Sequence, residues 1–149
     1  MTRRTRPVSW IRAALKEFES FPAGAQEICL AALTVAAEGG KADIAKPMRG
    51  LGASVMEIAL PFRGDAYRVV YAVQIADEVW VVHAFQKKST RGIQTPQREI
   101  DLVRESLDLI GQVLQKQQLV LRLELRGPCW IHVNVYEIQQ ILTNLLLNA

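Results

Sequence analysis

Cysteine and histidine are scarce in this chain, with two of each in 149 residues. Cys29 and Cys129 lie a hundred positions apart, each in apolar company, which excludes a disulfide-stapled scaffold and predicts two buried free thiols in a reducing cytoplasm. Two Cys and two His, with only Cys129 and His132 close in sequence, make no four-ligand metal signature, so neither a metal nor a cofactor is expected. Long apolar runs are missing as well. The stretch "ICLAALTVAA" is too short to span a bilayer, and "MTRRTRPVSW" lacks the apolar core of a signal peptide. No membrane contact is predicted. Internal repeats and low-complexity segments are likewise absent.

What is present is ordinary globular composition, half of it apolar and 22% charged, with a net charge of +3. The basic excess is local. Residues 1–105 hold 15 Lys/Arg against 12 Asp/Glu, whereas 106–149 hold 3 of each and are rich in Leu and Gln. This shift predicts two segments of different origin, 1–105 and 106–149. A mild positive balance permits a nucleic-acid partner without requiring one.

Periodicity gives an α+β fold. "SWIRAALKEFESFP" carries Trp10, Ala14 and Phe18 at helical spacing, and "PAGAQEICLAALTVAAEGG" carries Ile28, Leu30, Leu33 and Ala37 before Gly39-Gly40. Two helices joined by a short turn follow, with residues 7–11 as a strand or helix lead-in. After a loop over 41–52, "SVMEIAL", "AYRVVYAVQIA" and "EVWVVHAFQ" are short and rich in Val, Ile, Tyr and Trp, and turn residues separate them. They predict an antiparallel sheet of three to four strands. "TPQREIDLVRESLDLIGQVL" returns to helical spacing, with Thr95 as N-cap, Pro96 at the first helical position and Glu99 as a capping acid. Beyond it a β-β-α tail is expected, opened by the alternating "LVLRLELRG".

The chemistry concentrates at "HAFQKKSTRGIQTP". Strict alternation puts Val81, His83, Phe85 and Lys87 on one strand face, and Arg68 on the neighbouring strand opposite in face to Tyr71. Arg68, His83, Lys87 and Lys88 are the candidate catalytic residues, with Lys46, Arg49 and Arg91 as candidate RNA contacts. Such cations orient a phosphodiester and stabilise its pentacoordinate transition state. RNA supplies its own nucleophile, the 2′-hydroxyl, so a base, an acid and charge stabilisation suffice. Either His83 or a lysine could carry the proton. Asp43, Glu57 and Asp65 look too scattered to form a carboxylate pair.

Together "PVSWIRAALKEFESFP", "AKPMRGLGASVMEI", "GDAYRVVYAV" and "VWVVHAFQKKSTRGIQTP" resemble the phage-derived Gp49-like, HigB-type branch of the RelE/ParE toxin superfamily. The resemblance implies the toxin of a type II toxin–antitoxin system, a metal-free endoribonuclease that cuts translated messenger RNA in the ribosomal A site. Its partners would be the ribosome, messenger RNA and a cognate helix-turn-helix antitoxin. Arg68 matches the arginine linked to phosphate stabilisation, Lys87 and Lys88 the strand-end cations that orient the phosphate and act in proton transfer, and Lys46 a basic loop before the sheet. Where many relatives carry Glu-Leu-Arg, this chain reads Glu57-Ile58-Ala59. Some members of the superfamily inhibit DNA gyrase instead, which leaves a non-enzymatic inhibitor or an inactive fusion product as the alternatives.

The end of the chain, "VLRLELRGPCWIHVNVYEIQQILTNLLLNA", resembles the start of a histidine-kinase ATP-binding domain up to its N-box. That resemblance implies a magnesium-binding role for Asn148 and a place near the catalytic acid for Asn144. The glycine-rich boxes and ATP lid do not follow, so the N-box is read as vestigial and no ATP binding is expected.

Overall fold

The computed structural model describes residues 5–87, 94–124 and Thr143. The chain divides into two units, Met1–Asp108 and Leu109–Ala149. Elements run β1 (Val8–Trp10), α1 (Arg12–Glu19), α2 (Ala23–Ala37), β2 (Ala45–Pro47), β3 (Val55–Phe62), β4 (Asp65–Ile75), β5 (Glu78–Lys87) and α3 (Gln97–Glu124). The α+β expectation holds. The sheet has five strands in the order β1-β5-β4-β3-β2, all antiparallel except β1, which runs parallel to β5.

The three expected meander strands are β3, β4 and β5. Two-residue turns join them, at Arg63-Gly64 and at Ala76-Asp77, and all four of these residues have positive φ. That is the type I′ geometry whose twist matches paired strands. The flanking three-residue strands are additions. β1 resolves the residue 7–11 alternative as a strand, and β2 lies inside the stretch expected to be loop.

α1 and α2 cover one face of the sheet. Ala14 and Phe18 of α1 and Ala25, Cys29, Ala32, Leu33 and Ala36 of α2 are buried there against Met56, Ile58, Leu60, Tyr67, Val69, Tyr71, Val79 and Val81. Burial pushes the Cys29 thiol up to about 11 and raises the Tyr71 phenol above its ordinary value. The buried free thiol expected at Cys29 is thus present; Cys129 lies outside the described residues. Ile28 and Leu30, expected on the inner stripe, instead face solvent. α2 is anchored through small residues, and Ala25, Cys29, Ala32 and Ala36 form its inner row.

The strand expected to open the C-terminal tail is corrected. Residues 119–124 are the last turns of α3. Gln, Lys, Leu, Arg and Glu are strong helix formers, and extending an existing helix needs no new nucleus. Apart from Thr143, which is helical, the remainder of the expected tail, with Asn144 and Asn148, lies outside the described residues. Among the described residues no helix is long and apolar enough to cross a membrane.

Candidate functional site

The face of the sheet away from α1 and α2 holds the candidate site, and a β-bulge decides what it presents. Tyr71 pairs with Val81 while Val70 pairs with His83, so Val82 is an extra residue in β5. One inserted residue reverses the alternation beyond it. Val79 and Val81 therefore point into the α1/α2 core, whereas His83, Phe85 and Lys87 point to the other face. Strict alternation would have kept Val81 with His83; the bulge separates them.

The register then lines up a row across four strands. Lys46 pairs with Glu57, Glu57 with Val70, and Val70 with His83. One step along, Ala59 pairs with Arg68 and Arg68 with Phe85, followed by Ala66 with Lys87. Arg68 is thus a diagonal neighbour of Glu57, His83 and Lys87 on one face. The missing arginine of the Glu-Leu-Arg run would stand at Ala59, directly opposite Arg68.

Glu57 is the centre of this row and is only 2% exposed. Its Oε1 accepts a hydrogen bond from Arg68 Nη1 at 2.7 Å and has Lys46 Nζ at 3.7 Å. Its Oε2 accepts from the Thr95 hydroxyl. Three charged or polar groups, from β2, β4 and the residues just before α3, therefore meet at this β3 carboxylate. Arg68, at 7% exposed, is a buried cation held by its pair rather than a solvated strand residue.

The start of α3 closes over the same face. His83 Nε2 lies 2.5 Å from Glu99 Oε2, and Lys87 Nζ donates to the Gln94 carbonyl at 3.0 Å. Lys87 is likewise buried, which excludes a merely solubilising strand end. Thr95 does not cap α3 as expected. Its hydroxyl goes to Glu57, and the Pro96 carbonyl accepts the first helical N–H groups, from Glu99 and Ile100.

Beside this cluster lies a groove of about 760 Å³ lined by Lys46, Met48, Arg49, Glu57, Thr95 and Ile100, among others. The structure thus gathers Arg68, His83 and Lys87 around the sheet row, and Lys46 and Arg49 along the groove, with Glu57 common to both. Lys88 and Arg91 lie outside the described residues.

Residues 16–108 match the family described as phage derived protein Gp49-like. The chain belongs to that family. It is a phage-derived toxin family of the toxin–antitoxin kind, and membership points to an antitoxin as partner. No curated protein matches the chain. In this Gp49-like protein Glu57, Thr95 and Glu99 are the site residues that sequence reasoning missed. Glu57 gave a signal, a lone carboxylate inside the apolar run "VMEIAL", which demands a buried partner.

Proposed function

We propose that this Gp49-like protein is an endoribonuclease toxin that cleaves messenger RNA on the ribosome, using the 2′-hydroxyl as nucleophile. One observation carries the reading: Arg68, His83 and Lys87 share one face of β4 and β5 as diagonal neighbours. Arg68 stabilises the charge that grows on the phosphoryl oxygens, and Glu57 holds its guanidinium through the 2.7 Å hydrogen bond from Nη1. His83 and Lys87 orient the phosphodiester and supply proton transfer. Lys46 and Arg49, both exposed along the groove, track the backbone of the flanking strand. Lys88, as a further catalytic cation, and Arg91, as a further RNA contact, are proposed from residue type alone. A helix-turn-helix antitoxin from the adjacent gene is the expected inhibitor.

For residues 106–149 the proposal is a segment similar to the start of a histidine-kinase ATP-binding domain up to its N-box at Asn144 and Asn148, and this rests on the residue pattern alone.

The test follows growth and message integrity after induction of the full chain, and cleavage of purified messenger RNA with and without ribosomes. Growth arrest with ribosome-dependent cleavage is expected, abolished by Arg68→Ala. Growth arrest with intact messages would replace this reading with the gyrase-inhibitor type.

A further inference from the structure

Among the described residues His83 and Lys87 are the candidate proton carriers, and their surroundings differ. The Lys87 ammonium donates to a backbone carbonyl, and an ammonium has no lone pair with which to accept a proton. The His83 ring is fixed on two sides. Its Nε2 lies 2.5 Å from Glu99 Oε2, and the Phe85 ring sits beside it at 5.3 Å between centroids, inclined by 30°. An ionised carboxylate only accepts hydrogen bonds, so in the neutral ring this contact assigns the proton to Nε2 and leaves the lone pair on Nδ1.

We propose that Glu99 is the positioning residue of a proton transfer carried by His83. The proposal rests on the nuclease reading above and names the group within that site that moves the proton. In the step, the 2′-hydroxyl proton passes to His83 Nδ1 while the 2′ oxygen forms a bond to phosphorus. The bond from phosphorus to the 5′ oxygen breaks, and that oxygen takes a proton from water. A 2′,3′-cyclic phosphate and a 5′-hydroxyl result, and the imidazolium then returns its proton to solvent. Glu99 stays ionised throughout, facing the positive charge that develops on the ring and holding it in one orientation. This is the role a buried aspartate has toward the histidine of a serine-protease triad.

A purely structural role for Glu99 would be to tie the first turn of α3 to the sheet, where an acid also favours the helix dipole. That tie is already made twice over, by Thr95 to Glu57 and by Lys87 to the Gln94 carbonyl. Neither contact involves His83.

The experiment uses the full chain with ribosome-bound messenger RNA. Glu99→Gln is expected to lower kcat by about 10- to 100-fold, less than the 10²–10⁴-fold worth of a proton carrier itself, with KM and the melting temperature unchanged. In wild type, ¹⁵N-resolved NMR should find the neutral His83 ring protonated on Nε2, with a downfield, slowly exchanging N–H proton that His83→Ala identifies by its absence. Glu99→Gln should lose that slow exchange. An Nδ1 proton in wild type would overturn the proposal even if the variant does not fold. So would an unchanged kcat in Glu99→Gln, or a change confined to KM. A wild-type protein that cleaves no RNA overturns the nuclease reading and the role of Glu99 together, whereas cleavage that is indifferent to Glu99→Gln overturns the role of Glu99 alone.

Discussion

Glu57 and Arg68 form a pair buried on both sides, and removing one partner leaves the other as an uncompensated buried charge. Loss of one side of such a pair costs about 3–5 kcal/mol. Glu57→Ala should therefore fall in that range by urea denaturation, and Glu57→Ala with Arg68→Ala should cost clearly less than the two single changes summed. Lys46 is 48% exposed at 3.7 Å, so Lys46→Ala should cost no more than about 1 kcal/mol. Parts of this site were legible: Arg68, His83 and Lys87 follow from pleat and charge. Glu57 was legible only as a carboxylate in need of a partner, and Thr95 and Glu99 not at all, because their roles depend on which residues the register and the helix start bring opposite them. A threonine before Pro96 looks like a cap in any sequence, and only the fold turns its hydroxyl toward a strand. Cys29 offers a pH test with a definite sign. Its thiol is raised from 9.0 to about 11, so the folded state holds the proton that the unfolded chain releases. Its contribution to stability is complete below pH 9 and is lost as pH rises from 9 to about 11. In a Cys129→Ser background, urea midpoints should fall across that window, and thiol reagents should label Cys29 only on unfolding.

At the level of elements, the meander was readable because its strands alternate and are bounded by turn residues. β1 and β2 escaped because three residues make no period. The bulge escaped because "VWVVHAF" is apolar on both faces ahead of His83, and such a run carries no phase. Deleting Val82 tests the bulge directly. The deletion restores strict alternation, turning either Val81 out of the core or His83 and Lys87 into it. It is expected to abolish RNA cleavage and to destabilise the fold, as read by activity and by urea denaturation. The turn at Ala76-Asp77 offers a change of the opposite sign. Both residues sit at left-handed φ, 50° and 58°, where a β-carbon is unfavourable. Replacing them with Asn-Gly, the preferred type I′ pair, should raise stability by about 1 kcal/mol in urea melts and leave cleavage unchanged, since the turn lies at the far end of β5 from Lys87. The opposite failure came at 119–124, where the alternating Leu121-Arg122-Leu123-Glu124 lies in helix. Alternation over so few residues cannot outweigh an established helix that precedes it.

For the whole molecule, a net charge of +3 cannot by itself hold RNA, so affinity must come from where the cations sit. Lys46 and Arg49 are exposed along the groove, whereas Arg68 and Lys87 are buried and already paired. Counterion release from a single strand gives a slope of log K against log salt of about −0.7 for each phosphate neutralised. Lys46 and Arg49 alone predict a slope near −1.4, and engagement of Arg68 and Lys87 by the scissile region steepens it toward about −2.8. Fluorescence anisotropy of a short RNA carrying a 2′-deoxy block at the cleavage site, titrated over a range of salt, measures this slope. Lys46→Ala with Arg49→Ala should flatten it by about 1.4 and weaken binding evenly across sequences. Arg68→Ala should flatten it by less and act chiefly on the cleavage rate, because Glu57 already neutralises most of that charge in the free protein. A slope near zero in wild type would mean that the groove does not track a phosphate backbone, and the basic face would then be a surface for protein.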